Sequence, residues 1–117
     1  MNVVSDRGSR YAVSGGAAMG RTGVDAFLTG LKRNKKFAKA THNSWAVLSS
    51  AEGPLKGDDG EIGAGAALLR VLDRAGLCDH VIVVTRWYGG VHLGGDRFRH
   101  VTTAAQEYLA LLDSDPA

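Results

Sequence analysis

A single cysteine, Cys78, leaves the chain without any internal disulfide, which excludes the stapled secreted scaffolds and fits a reducing compartment. Long apolar runs are missing too: none approaches the ~20 residues of a membrane span. The opening stretch from Met1 to Arg10 is polar and carries no apolar segment of the signal-peptide kind. Charge of one sign is scarce, at a net +2, so nothing global argues for nucleic acid. Proline occurs twice, and no internal repeat or low-complexity linker divides the chain. What remains is one domain's worth of sequence, 117 residues with 44% apolar content. A chain of that size buries roughly two-thirds of the surface it exposes when unfolded, enough for a core without metal or disulfide help. Glycine is in excess at 16 residues, about double the usual ~7% share. Placement matters more than number here.

Tyr11-Ala12-Val13 is a short strand candidate, and Gly15-Gly16 with the small residues to Gly20 break its continuation. Thr22 reads as a helix N-cap, followed by Val24, Phe27, Leu28 and Leu31 on one apolar face. That helix is expected to end near Asn34, among Lys32, Arg33, Lys35, Lys36 and Lys39. Residues 40–50 alternate as a strand, Trp45 and Val47 on one side, Ala46 and Leu48 on the other. A turn-rich loop over 51–60 leads into a second helix from Gly63 to Ala75, stopped by Gly76. Val81–Val84 is apolar on both faces, so it is predicted central and buried. The last helix starts near Asp96 and presents Phe98, Val101, Ala105, Tyr108 and Leu112 at helical spacing, with Pro116 beyond its end. Small extra strands fit near residues 1–5 and after Ser50. The order predicts an α+β fold, a two-layer sandwich with helices on one face of a mixed sheet. It occupies residues 10–117 behind a flexible segment, residues 1–9.

Chemistry-bearing residues gather in a few places. Thr41, His42 and Asn43 put polar side chains on a strand. His42 can act as base, acid or ligand, and Asn43 can hold a neighbouring loop. The plainer reading is an edge strand whose polar groups tie down backbone. Asp58, Asp59 and Glu61 around Gly60 supply carboxylates for a hard cation. The spacing is not that of an EF-hand, and acids ahead of a helix also suit its positive end. From Thr85 to Phe98, a strand, the pairs Gly89-Gly90 and Gly94-Gly95, and a helix start can build an anion site. Arg86, His92 and Arg97 add charge there, whereas Asp96 would repel a phosphate. Neither the P-loop pattern nor the G-x-G-x-x-G pattern is present, and a close-packed turn is the competing reading. The lysine cluster can touch phosphates or simply be a solvated helix end. Cys78 near His80 lacks a basic environment and reads as a small hydrophobe rather than a nucleophile.

Three stretches carry a resemblance: Asn34 through Asn43; Asp58-Asp59-Gly60-Glu61 with Ala64-Gly65; and Thr85-Arg86-Trp87-Tyr88-Gly89-Gly90 with Leu93-Gly94 and Asp96-Arg97-Phe98. In this order, over about residues 10–112, they resemble the IMPACT family. The Arg-Trp-Tyr-Gly-Gly form looks like its eukaryotic branch more than the bacterial YigZ type. The resemblance implies a fold like the second domain of a small-subunit ribosomal protein and domain IV of elongation factor G. It also implies translational control in a stress response, through protein partners: the activator of the amino-acid-starvation kinase, or monomeric actin. In those relatives activator binding lies largely in an N-terminal RWD domain, which these residues do not include. The kinase pathway is therefore implied only as far as this domain carries it.

The first expectation is a cytoplasmic, protein-binding regulatory module with no cofactor. Its binding surface comprises Thr41, His42, Asn43, Asp58, Asp59, Glu61, Arg86, Tyr88, Gly89, Gly90, His92 and Arg97, with no catalytic set and no metal. The alternative is an RNA- or ribosome-binding domain using the Lys32–Lys39 cluster. A third reading, an enzyme or metal site, needs His42, Asp58, Asp59 and Glu61 to converge.

Overall fold

Val81–Val84 lies at the centre of the sheet, as its unbroken β-branched run predicts. In the computed structural model, which describes residues 2–114, it forms the middle of strand β5, His80–Trp87. The sheet is built from β1 (Asn2–Asp6), β2 (Ser9–Ala17), β3 (His42–Ser49), β4 (Gly53–Gly57) and β5, in the order β1-β2-β5-β3-β4. Helices α1 (Gly20–Lys32), α2 (Lys35–Ala38), α3 (Ala64–Ala75) and α4 (Asp96–Ser114) complete the chain. Registers such as Val13 opposite Val84, Trp45 opposite Val83 and His42 opposite Arg86 fix which side chains share a face.

The α+β class and the layering of α3 and α4 on the sheet agree with expectation. Ile82 and Val84 of β5 pack with Tyr11 and Val13 of β2 against Leu68, Leu72 and Val101. Other details differ. Every strand pairing is antiparallel, so the sheet is not mixed. Helix α1 lies on the opposite face, where Val24 joins Trp45, Val47, Val81 and Val83 with Phe27, Leu28 and Leu31 around them. The small extra strands expected near residues 1–5 and after Ser50 are β1, paired with β2, and β4, so the start of the segment expected to be flexible, residues 1–9, is part of the sheet.

Strand β2 runs through Gly15 and Gly16 instead of breaking there. A Cβ on Gly15 would enter the Tyr108 ring and one on Gly16 would meet Phe27, so the two glycines admit aromatic rings on opposite faces. Helix α1 starts at Gly20 with Met19 as N-cap, so Thr22 lies inside the first turn. Helix α1 ends at Lys32, near Asn34 as expected, and Asn34 itself caps α2, accepting the Lys36 amide. Gly76 stops α3 with φ of 65°, as the sequence predicts. Cys78 is exposed, not a core hydrophobe. Pro116 lies outside the described residues. Among those described, no helix is long and apolar enough to cross a membrane.

Candidate functional site

Register places His42 of β3 beside Arg86 of β5, and both side chains point to the face that carries α3 and α4. Between them sits Glu61, 3% exposed, on the turn that leads into α3. Its Oε1 accepts from the Arg86 guanidinium at 2.8 Å and its Oε2 faces His42 Nε2 at 3.0 Å. The other ring nitrogen, Nδ1, lies 2.8 Å from the Asp59 carbonyl. His42 thus meets acceptors on both sides, and the ring donates to both only as the imidazolium.

Arg86 is an arginine of the sheet, not of the surface. Its Nη2 lies 3.4 Å from the Ser9 hydroxyl oxygen, and its guanidinium stacks between the rings of Tyr11 and Tyr88, 5.6 Å from each centre. Tyr11 is fully buried, and that burial pushes its phenol up to about 12.

Together Thr41, His42, Glu61, Arg86, Tyr88 and Arg97 line a cleft of about 440 Å³. His92 joins them from the loop before α4 and meets the Tyr88 ring at 5.7 Å. The loop is pinned by Leu93, 5% exposed, which reaches into the core. Thr41 accepts the Tyr88 amide at 2.9 Å, so the two walls are stitched together at the rim.

The remaining candidates brace this cleft from behind. Asn43 is buried; its amide nitrogen donates to the Phe37 carbonyl, its side-chain oxygen accepts from Thr85, and its backbone N–H donates to Asp59. The Asp58 carboxylate accepts the Gly63 and Gly65 amides at the start of α3. Gly89 donates to Ser9 and lies so close to the Gly8–Ser9 backbone that a Cβ has no room. Gly90 supplies a turn with φ of 87°. Arg86 pairs with Glu61 and not with Asp58 or Asp59. His42, Asp58, Asp59 and Glu61 do not converge as a metal set: each carboxylate is engaged by donors of the chain, and no three metal-ligating side chains group together among the described residues. Ser9, Tyr11 and Leu93 were missed by sequence reasoning. Leu93, a lone apolar residue between two glycine pairs, was the available signal; Ser9 had none, since it meets Gly89 across 80 positions.

The family model for the Impact N-terminal domain matches residues 7–109. The chain belongs to this family. It is 36% identical to the protein IMPACT homolog of Caenorhabditis elegans over 92% of its own length. It is 35% identical to human protein IMPACT over 91% and 33% identical to the Saccharomyces cerevisiae homolog over 89%. It spans 45%, 35% and 42% of those three proteins, less than half of each. Among solved structures it resembles a hypothetical protein at a TM-score of 0.76 and 25% identity, covering 97% of this chain and 56% of the other. It also resembles the two-domain translational regulator Yih1, at 0.51 and 29%, covering 91% and 43%. Within the matched residues, Arg86 and Tyr88, at the end of β5 and just beyond it, line the cleft.

Proposed function

We propose that this IMPACT domain is a protein-binding regulatory module of translational control, working in the cytoplasm, and that the cleft beside β5 is where it grips its partner. One observation carries the reading. The cleft is walled by polar residues held rigidly from behind, while Tyr88 and His92 stand exposed at its rim with their side chains free of the bracing hydrogen bonds. Rigid walls with exposed aromatic rims suit recognition. We read the domain as a binder and not an enzyme, because His42, the residue best placed to move a proton, is tied at both ring nitrogens. Family membership and the likeness to Yih1 support translation as the setting.

A second reading, RNA binding, has its own support on the other face. Trp87 lies under Lys36 at 5.1 Å and Arg10 at 5.9 Å and meets the Phe37 ring at 5.4 Å. Lys32, Arg33, Lys35 and Lys39 nearby are exposed. Such aromatic and basic groups suit single strands.

One experiment separates the two. The immobilised domain is offered purified kinase activator, monomeric actin and a labelled oligouridine. Tyr88→Ala with His92→Ala is expected to abolish protein capture at an unchanged melting temperature. Lys35→Glu with Lys36→Glu is expected to leave protein capture intact. Protein capture that survives the rim variant removes the cleft from the first reading. Oligouridine retention that falls with the lysine variant, with a flatter salt dependence, favours the second.

A further inference from the structure

The helical layer carries a second hollow. A groove of about 410 Å³ lies between α3 and α4, and none of its lining residues lines the cleft. Ala67 and Val71 of α3, 2% and 8% exposed, form its floor with the half-buried Leu109 of α4. Ala67 and Val71 stand one turn apart on the same side of α3. Their short side chains leave a trough that longer ones would close. Gln106 borders it from α4, and Arg70 and Arg74 border it from α3. An apolar floor inside a polar rim is the anatomy of a protein interface.

The rim carries charge of one sign. Arg70 and Arg74 are four residues apart on α3, and both are exposed. Like charges at that spacing lie side by side and repel. Neither has an ion-pair partner among the described residues. By contrast, the exposed Arg7, Arg21 and Arg99 each answer an aspartate. Asp73 and Glu107 are close in sequence but line no part of the groove. The groove therefore offers apolar contact and two open guanidinium groups, with no carboxylate of its own.

These features select the occupant. Two helices packed side by side leave a groove that takes the ridge of a third. Arginines four residues apart match carboxylates three or four residues apart on such a helix. No helix among the described residues carries that pair of acids. Helices α1 and α3 hold one acid each and α2 none, while Asp96, Glu107 and Asp113 of α4 stand too far apart. A second copy of this chain thus lacks the matching face. Nucleic acid matches less well, because no aromatic ring lines the groove for a base to stack on.

We propose that the α3–α4 groove docks an acidic amphipathic helix of a protein partner. Its apolar side lies on Ala67, Val71 and Leu109, and its carboxylates meet Arg70 and Arg74. This is a second contact surface, and it does not rest on the reading of the cleft.

The test titrates the isotope-labelled full chain with synthetic peptides of about 16 residues, long enough to hold a helix. One peptide has a leucine stripe flanked by glutamates four residues apart. A second has lysine for each glutamate, and a third has serine for each leucine. Binding is followed through the Ala67, Val71 and Leu109 methyl signals in nuclear magnetic resonance. The glutamate peptide is expected to shift them saturably, and the other two to bind about tenfold or more weakly. Arg70→Glu with Arg74→Glu is expected to reverse the order, so that the lysine peptide binds better. Arg70→Gln with Arg74→Gln is expected to remove the preference, and it serves where the reversed variant does not fold. Tyr88→Ala with His92→Ala is expected to leave the glutamate peptide's affinity unchanged, so cleft and groove can fail separately. Shifts that do not saturate, equal affinity for the glutamate and lysine peptides, or a preference that survives both arginine variants overturn the proposal. Methyl shifts on dilution, with a dimer in sedimentation, assign the groove to a second copy and overturn it. Oligouridine that displaces the glutamate peptide assigns the groove to RNA and overturns it as well.

Discussion

The Asp58 carboxylate accepts the Gly63 and Gly65 amides at 3.2 and 2.8 Å. It does an N-cap's work from the loop ahead of α3, whose own N-cap, Gly63, has no side chain to offer. Gly65 leaves space for it, because a Cβ there would stand 2.9 Å from the Asp58 oxygen. Burial pushes the Asp58 pKa up, but the two amides, helped by Lys56, more than offset this and hold it below the usual carboxylate range. Its contribution is therefore present above the unfolded value and is lost as pH falls through the lower folded one. Asp58→Ala is expected to lower stability by about 1–2 kcal/mol, the cost of a lost cap, read as a shift of the urea midpoint at neutral pH. An unchanged midpoint would remove Asp58 from the support of α3. The sequence made an acid before this helix legible. It did not say which amides the acid would hold, because that depends on how the 58–63 turn closes.

Strand β5 is covered on both faces, by α3 and α4 through Ile82 and Val84 and by α1 through Val81 and Val83. Val83 is fully buried. Val83→Asp places an unpaired charge between β2, β3 and α1, and is expected to cost more than about 4 kcal/mol, a large part of the ~5–15 kcal/mol that holds such a domain. Loss of the cooperative thermal transition would report it; a folded variant of near-normal stability would contradict this placement. The same strand shows where sequence reading stopped short. Four consecutive β-branched residues already implied apolar cover on two sides, yet placing all helices on one face ignored half of that signal. Alternation in β3 was read correctly, since Trp45 and Val47 do part from Ala46 and Leu48. Gly15 and Gly16 misled, because a glycine that ends a strand and one that admits a ring look alike in sequence. The polar candidates were legible as residue types, but their division into cleft wall and brace was not. Asn43 turns inward only because Phe37 and Thr85 meet it from distant positions.

At the scale of the molecule, two clasps besides the Arg7–Asp96 ion pair fasten α4 to the sheet among the described residues. Near its start His100 meets Asp6 of β1 at 2.8 Å, and further along Tyr108 meets His80 of β5 at 2.6 Å. Acid acts on these clasps in different ranges. Hydrogen bonds from Arg7 and His100 hold Asp6 at about 2, so its contribution persists until pH falls below the ordinary carboxylate value of 3.8. His80 responds earlier. Burial lowers its pKa below the model-peptide value of 6.5, so the folded protein binds this proton less readily than the unfolded chain. The unfolded state then carries more protons, and stability falls as pH drops from about 6.5 towards the lower folded value. His80→Gln keeps a hydrogen-bonding partner for Tyr108 and removes the titration. Melting temperatures measured from about pH 7.5 to about pH 5 are expected to fall more steeply for the parent chain than for His80→Gln. The two proteins differ at this residue alone, so the difference between the two profiles isolates it. Parallel profiles would show that the His80–Tyr108 clasp does not set the acid response of the fold.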